Sequence, residues 1–147
     1  MGELLTGTHN FGTAPIRAAT TADTFKGALY LASATINAAT TVYSSTDEVT
    51  GTGYSAGGVT VTNATAPTAT NSSATAGVAY WTPSGSLVYT TVTLSTAFDT
   101  VLVYNSTQSN KAVSVHTFGS QTITAGTFTL TMPSNTTTTA LLRLSTT

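Results

Sequence analysis

Phe25-Lys26-Gly27-Ala28-Leu29-Tyr30-Leu31 is the most strand-like stretch of this 147-residue chain. In an extended backbone Phe25, Leu29 and Leu31 share one face. The segment therefore predicts a half-buried strand with those three side chains inward. Downstream, short apolar-alternating segments recur at 58–62, 78–82, 87–94, 100–104, 112–118, 121–124, 127–132 and 140–144, separated by Gly, Pro, Asn and Ser. No helical period persists over a long window. Strands this closely spaced leave no room for the crossover helices that parallel pairing requires, so the pattern predicts an all-β fold, a two-sheet antiparallel β-sandwich.

The segments between these strands give finer expectations. Thr124-Ala125-Gly126, set between Ile123 and Phe128, reads as a hairpin turn in which Gly126 takes positive φ. Residues 32–40 hold Ala34, Ile36, Ala38 and Ala39 without Gly or Pro and are the one place for a helical turn. Residues 63–76 contain no large apolar side chain and read as an exposed loop. Residues 1–24 carry few strand signals and read as an extended N-terminal arm, leaving 25–147 as a single β-sandwich domain.

Composition narrows the function. Only 6% of residues are charged against 40% hydrophobic, where soluble domains average about 25% charged. Roughly a quarter of the chain is Thr, whose β-branched side chain suits a pleated strand and whose hydroxyl keeps a neutral surface hydrated. A net charge of −1 supplies no basic footprint for nucleic acid, and near-neutrality favours association between copies. The chain has no Cys, so neither disulfides nor thiolate metal sites arise. Met1-Gly2-Glu3-Leu4-Leu5-Thr6 lacks the positive start and apolar run of a secretion signal, and no stretch approaches the roughly 20 apolar residues that span a bilayer. The expectation is a soluble chain made in the cytoplasm, with no membrane partner.

Groups able to carry chemistry are few. The histidines, His9 and His116, are far apart, and the carboxylates are Glu3, Asp23, Asp47, Glu48 and Asp99. Zinc needs three or four clustered ligands, and a nucleophilic triad needs an acid, a base and an activated hydroxyl in register. The sequence offers neither, so no catalytic, metal or cofactor residue is assigned. His116 alternates with Val113 and Val115 and reads as an outward or interface side chain. Asp47 and Glu48 project to opposite faces of a strand and cannot jointly hold a proton or metal. Glu48 lies just ahead of Gly51, where its carboxylate can accept backbone amides and fasten the following loop.

That loop, Gly51-Thr52-Gly53-Tyr54-Ser55-Ala56-Gly57-Gly58, runs into the strand-like Val59-Thr60-Val61-Thr62. Phosphate-cradling loops open a helix, so this one reads as a tight entry to a strand. The Asn-x-Ser/Thr matches at Asn63, Asn71, Asn105 and Asn135 follow from composition in a chain rich in Ser and Thr. The aromatic set, Tyr30, Tyr43, Tyr54, Tyr80, Trp81, Tyr89, Tyr104 and five Phe, suits core and subunit contacts, with a sugar-binding face as the alternative.

Several segments together are familiar: Thr6-Gly7-Thr8-His9-Asn10-Phe11; Phe25 to Tyr30; Thr41-Val42-Tyr43 leading into Glu48-Val49-Thr50-Gly51-Thr52-Gly53-Tyr54-Ser55-Ala56-Gly57-Gly58; Phe98-Asp99-Thr100-Val101-Leu102-Val103-Tyr104-Asn105-Ser106-Thr107; and Phe118-Gly119 through Phe128 to Met132-Pro133. The set resembles a family of small virion structural proteins of tailed phages, with residues 63–84 least matched and the Glu48 to Gly58 run most specific. The resemblance implies a capsid cement or decoration protein: jelly-roll-type β-sandwich subunits, often homotrimers, on the outer face of the head. Its partners would be the major capsid protein and further copies of itself. It implies no catalytic residue. Two other classes compete: a tail or spike adhesion module binding host surface glycan through the Tyr54 and Trp81 regions, and a hydrolase using His116.

Overall fold

The computed structural model describes residues 23–62, 68–72, 75–82 and 85–145. The described chain is all-β with no helix, and its strands form two antiparallel sheets, as the sequence predicts. The elements are β1 (Phe25–Leu31), β2 (Val59–Thr60), β3 (Thr68–Ser72), β4 (Thr75–Trp81), β5 (Leu87–Asn105), β6 (Lys111–Leu130) and β7 (Leu142–Ser145). One sheet has the order β2-β1-β5-β6 and the other β3-β4-β7. Residues group into two compact units, one comprising the described parts of Met1–Thr60 with Tyr89–Phe128, the other the described parts of Val61–Val88 and Thr129–Thr147. Each is assembled from separated stretches of chain, so no linker or composition shift could mark a boundary. The expected arm, residues 1–24, lies outside the described residues except for Asp23 and Thr24, as does His9.

In the first unit β1 lies between β2 and β5. Its register on β5 runs from Phe25 opposite Asn105 to Leu29 opposite Val101, with a shift between Tyr30 and Leu31. The sequence predicts one inward face carrying Phe25, Leu29 and Leu31. The structure differs: Ala28, Leu29 and Tyr30 are all fully buried, while Phe25 and Leu31 are only half-buried. Both faces of β1 are covered. On one, Ala28, Tyr30, Leu102, Tyr104 and Ala112 form a cluster onto which Ala34, Ile36, Tyr43 and Val115 pack. Ala34 and Ile36 thus serve as a lid contributed by residues 32–40, which fold as turns, closed by Ala34 N–H to Leu31 O (2.9 Å) and Thr40 N–H to Asn37 O (2.9 Å), and form no helical turn.

Two other boundaries are corrected. Residues 87–94 and 100–104 form a single strand, β5, because Ser95-Thr96-Ala97 contains no residue that breaks a pleat. The alternation slips once within it, from Leu87 and Tyr89 buried to Val92 and Leu94 buried, at Thr91, whose φ is +53°. The three segments expected between 112 and 132 likewise merge into β6, so Thr124-Ala125-Gly126 is not a hairpin turn. Positive φ falls on Ala125 (+48°) rather than Gly126, and the Ala125 N–H donates to Thr93 Oγ1 (3.0 Å). Along β5 and β6 the rings of Phe98, Phe118 and Phe128 pack together, Phe98 meeting Phe128 edge-on at 5.3 Å between centroids.

In the second unit β4 is central, paired with β3 from Thr68 opposite Tyr80 and with β7 from Val78 opposite Ser145. Of the residues expected as an exposed loop, 68–72 and 75–76 are strand instead. Thr68, Thr70 and Thr75 are of the β-branched type that favours strand.

Candidate functional site

The run from Glu48 to Gly58 builds the most heavily bonded polar cluster in the described structure, and backbone pairing places its centre. The Leu31 N–H donates to Asp47 O and the Val49 N–H to Leu29 O, both at 3.0 Å, forming a bridge of Glu48 to Tyr30 along the free edge of β1. Asp47 turns the chain into this position with φ +59° and stays exposed, while Glu48 points inward and is 7% exposed. The two neighbouring acids do diverge, as the sequence predicts.

A buried carboxylate is costly unless donors surround it. Glu48 Oε1 accepts from the Tyr54 hydroxyl (2.6 Å) and the Gly57 N–H (2.7 Å), and Oε2 accepts from the Tyr43 hydroxyl (2.7 Å). The Gly57 bond is the loop fastening expected of Glu48. The Tyr54 oxygen in turn accepts the Leu29 N–H (3.0 Å), occupying a position on β1 between the Glu48 bridge and β2 that no strand covers. Gly57 O accepts the Tyr104 hydroxyl (2.9 Å), and the Tyr104 ring stacks on Tyr43 at 4.4 Å and 12°. Tyr30 donates to Ser44 O, and Tyr89, stacked against Tyr54 at 6.1 Å, donates to Gly27 O (2.8 Å).

Glycines let the backbone come this close. A Cβ on Gly51 would lie 2.1 Å from Thr93 O, because residues 51–53 run against β5, where the Thr93 N–H donates to Thr52 O (2.9 Å). Gly58 has φ +75° and its Cβ would sit 1.7 Å from Gly27 O. From there Val59 and Thr60 pair with Gly27 and Lys26. Each end of the loop is thereby sewn to the sheet.

Burial raises the hydroxyl pKa of all five tyrosines above the usual phenol value. Tyr30 is pushed up to about 12 by desolvation, offset in part by its bond to Ser44. Tyr43 and Tyr54 are raised by desolvation first and by their bonds to the Glu48 carboxylate second. Tyr89 and Tyr104 are raised by desolvation and then by the field of Glu48. These are hydroxyls held neutral as donors, two toward Glu48 and three toward backbone carbonyls.

The other candidate residues are elsewhere. Asp23 accepts from Asn105 Nδ2 (2.9 Å) and Gln108 Nε2 (3.2 Å), tying the start of β1 to the β5–β6 turn. Asn105 is 2% exposed and its Oδ1 accepts the N–H groups of Thr107 and Gln108, so its glycosylation-like match is a turn anchor. Asp99 accepts from the neighbouring Thr100 hydroxyl (2.7 Å). His116, half-buried on β6, bonds the Ser114 hydroxyl through Nε2 (3.0 Å), and burial lowers its pKa. Among the described residues no three of His, Asp and Glu gather as a metal site. Tyr54 is spent on Glu48 and Leu29, while Trp81 is half-buried on β4. The fastening by Glu48 was readable from the sequence; the tyrosines that surround it were not, although Tyr43 and Tyr54 lie five and six residues from it.

Comparison of the chain with protein-family models, curated proteins and solved structures finds no match in any of the three, and none of them identifies a phage protein family.

Proposed function

We propose that the chain is a non-catalytic structural subunit of a larger protein assembly, and specifically a cement or decoration protein on the outer face of a tailed-phage head. In this reading, jelly-roll-type subunits made in the host cytoplasm bind the major capsid protein and one another, and engage neither nucleic acid nor membrane. The observation that carries the reading is how Glu48 is used: the one buried carboxylate among the described residues takes donors on both oxygens from neighbouring loop residues of its own chain. That is the economy of a part built to hold shape.

Two further features support it. Four basic and five acidic residues over 147 positions leave a surface with little charge to keep copies apart. The phage resemblance is concentrated in the Glu48 to Gly58 run, in which Glu48, Tyr54 and Gly57 are bonded together and Gly58 lies against β1. Mechanically, such a subunit clamps neighbours by burying shared surface, each specific contact needing on the order of 1,000 Å², and repetition over a closed shell supplies avidity.

Quantitative mass spectrometry of purified phage particles tests the proposal. The chain is expected at a fixed, high stoichiometry to the major coat protein. Its absence from particles, or a few copies confined to the tail together with glycan binding by the isolated protein, would refute the head assignment.

A further inference from the structure

The described sheets have four outer strands, and three are short: β2 has two residues, β3 five and β7 four. Brevity is one of the ways proteins keep a strand edge from recruiting another chain. The fourth, β6, has 20 residues. Its one positive-φ position is Ala125 (φ +48°), and from Val113 to Thr124 it carries none of the usual protections. Lys111 at its start is its only formally charged residue, and it contains no Pro.

The fold itself shows that this edge accepts a partner. At the start of β6, Val42 bridges Lys111, with the Tyr43 N–H donating to Asn110 O (2.9 Å) and the Ala112 N–H to Thr41 O (3.0 Å). This added segment ends there. Among the described residues nothing pairs with the outer edge from Val113 onward. Since the Ala112 N–H points outward, alternation along an antiparallel ladder turns the N–H groups of Ser114, His116, Phe118, Ser120 and Thr122 the same way. Among the described residues, a row of backbone donors and acceptors is left without a strand partner, flanked by exposed Thr117, Gln121, Thr122 and Thr124.

We infer that the outer edge of β6, residues 113–124, pairs antiparallel with the same edge of a second copy of this chain. The inference rests on the assembly reading above and names the partner and the surface. A two-fold axis normal to the sheet sets each residue before the axis against one after it, so only the residue on the axis meets its own copy. Self-pairing is repulsive for an edge that carries one sign of charge along its length and harmless for this one, which has no formal charge after Lys111. Threonines facing one another across an antiparallel pair are favourable, and the two Lys111 side chains fall at opposite ends. Such pairing closes as a dimer. The trimer implied by the phage resemblance would require a head-to-tail contact instead.

Sedimentation equilibrium of the purified full-length chain tests this directly. The wild-type protein is expected at about twice 14.9 kDa. Thr122→Pro removes one outward donor and Thr122→Lys adds a like charge on both sides of the contact. Each should bring the mass down to that of one chain with the far-ultraviolet circular dichroism unchanged. Should the proline variant unfold, the lysine variant decides. A monomeric or trimeric wild type, or a dimer that survives the lysine substitution, would overturn the edge pairing. A chain abundant on particles yet monomeric in solution sinks the pairing alone; a β6-dependent dimer missing from particles sinks the particle reading alone.

Discussion

Replacing Glu48 by alanine is expected to destabilise the protein by about 3–5 kcal/mol, because several part-buried donors lose a charged acceptor together. Three donors lose their acceptor at once: the Tyr43 and Tyr54 hydroxyls and the Gly57 N–H. Each buried donor left unpaired costs about 1–3 kcal/mol, and water reaching the half-exposed tyrosines recovers part of that. For a chain of this size such a loss lowers the melting temperature by roughly 10 °C or more. Glu48→Gln separates shape from acceptor count. It keeps the volume and one carbonyl oxygen but turns an NH₂ group toward at least one of the donors, so an intermediate loss is expected. Thermal unfolding of both variants, with retained secondary structure at low temperature, checks the order. An alanine variant within about 0.5 kcal/mol of wild type, the range of an ordinary surface change, would show that the bonds to Glu48 contribute nothing net.

Gly58→Ala is expected to cost at least as much, about 4 kcal/mol or more, for a different reason. The added Cβ would meet Gly27 O at 1.7 Å, Gly27 C at 2.4 Å and Ala28 Cα at 2.8 Å, all backbone of β1, so no rotamer change relieves the clash. The residue also sits at φ +75°, which an L side chain resists. Either β2 leaves β1 or the loop opens and carries Gly57 away from Glu48. Gly119→Ala is the matched control. Its Cβ would find nothing within 4 Å and no positive φ is involved, so unfolding should stay within about 0.5 kcal/mol of wild type. Equal effects of the two substitutions would mean that the loop is not fitted to the sheet as described.

The all-β class and the position of β1 were legible because alternation and turn residues are local signals. Strand length was not. Ser95-Thr96-Ala97 and Thr124-Ala125-Gly126 look like interruptions, and whether such a stretch turns or continues depends on the neighbouring strand that pairs with it. The burial of both faces of β1 escaped for a related reason: its second cover comes from Ala34, Ile36 and Tyr43, which carry no mark of being a lid. At the site, Glu48 was legible because charges are so scarce in this chain that one beside a glycine loop needs a structural explanation. Tyr104, supplying a hydroxyl to Gly57 from 47 residues away, leaves no trace in local sequence. Tyr54 shows the opposite problem. An aromatic residue in a glycine-rich loop suggests a sugar platform, yet its hydroxyl is the link between Glu48 and β1.

The physical core of this account is that the tyrosines around Glu48 form a closed brace. An alkaline titration following tyrosinate absorbance and circular dichroism together tests it most directly. Tyrosines free in the unfolded chain ionise near pH 10. Those of the brace are raised in the folded state, Tyr30 to about 12, so below pH 10 both states hold their protons and the full stability is present. Above it the unfolded chain loses protons that the folded chain keeps. Stability then falls as pH rises. The account predicts that most tyrosinate appears in one cooperative step above pH 10, coincident with loss of the sheet signal. Smooth ionisation of these tyrosines near pH 10 with the sheet signal intact would contradict it.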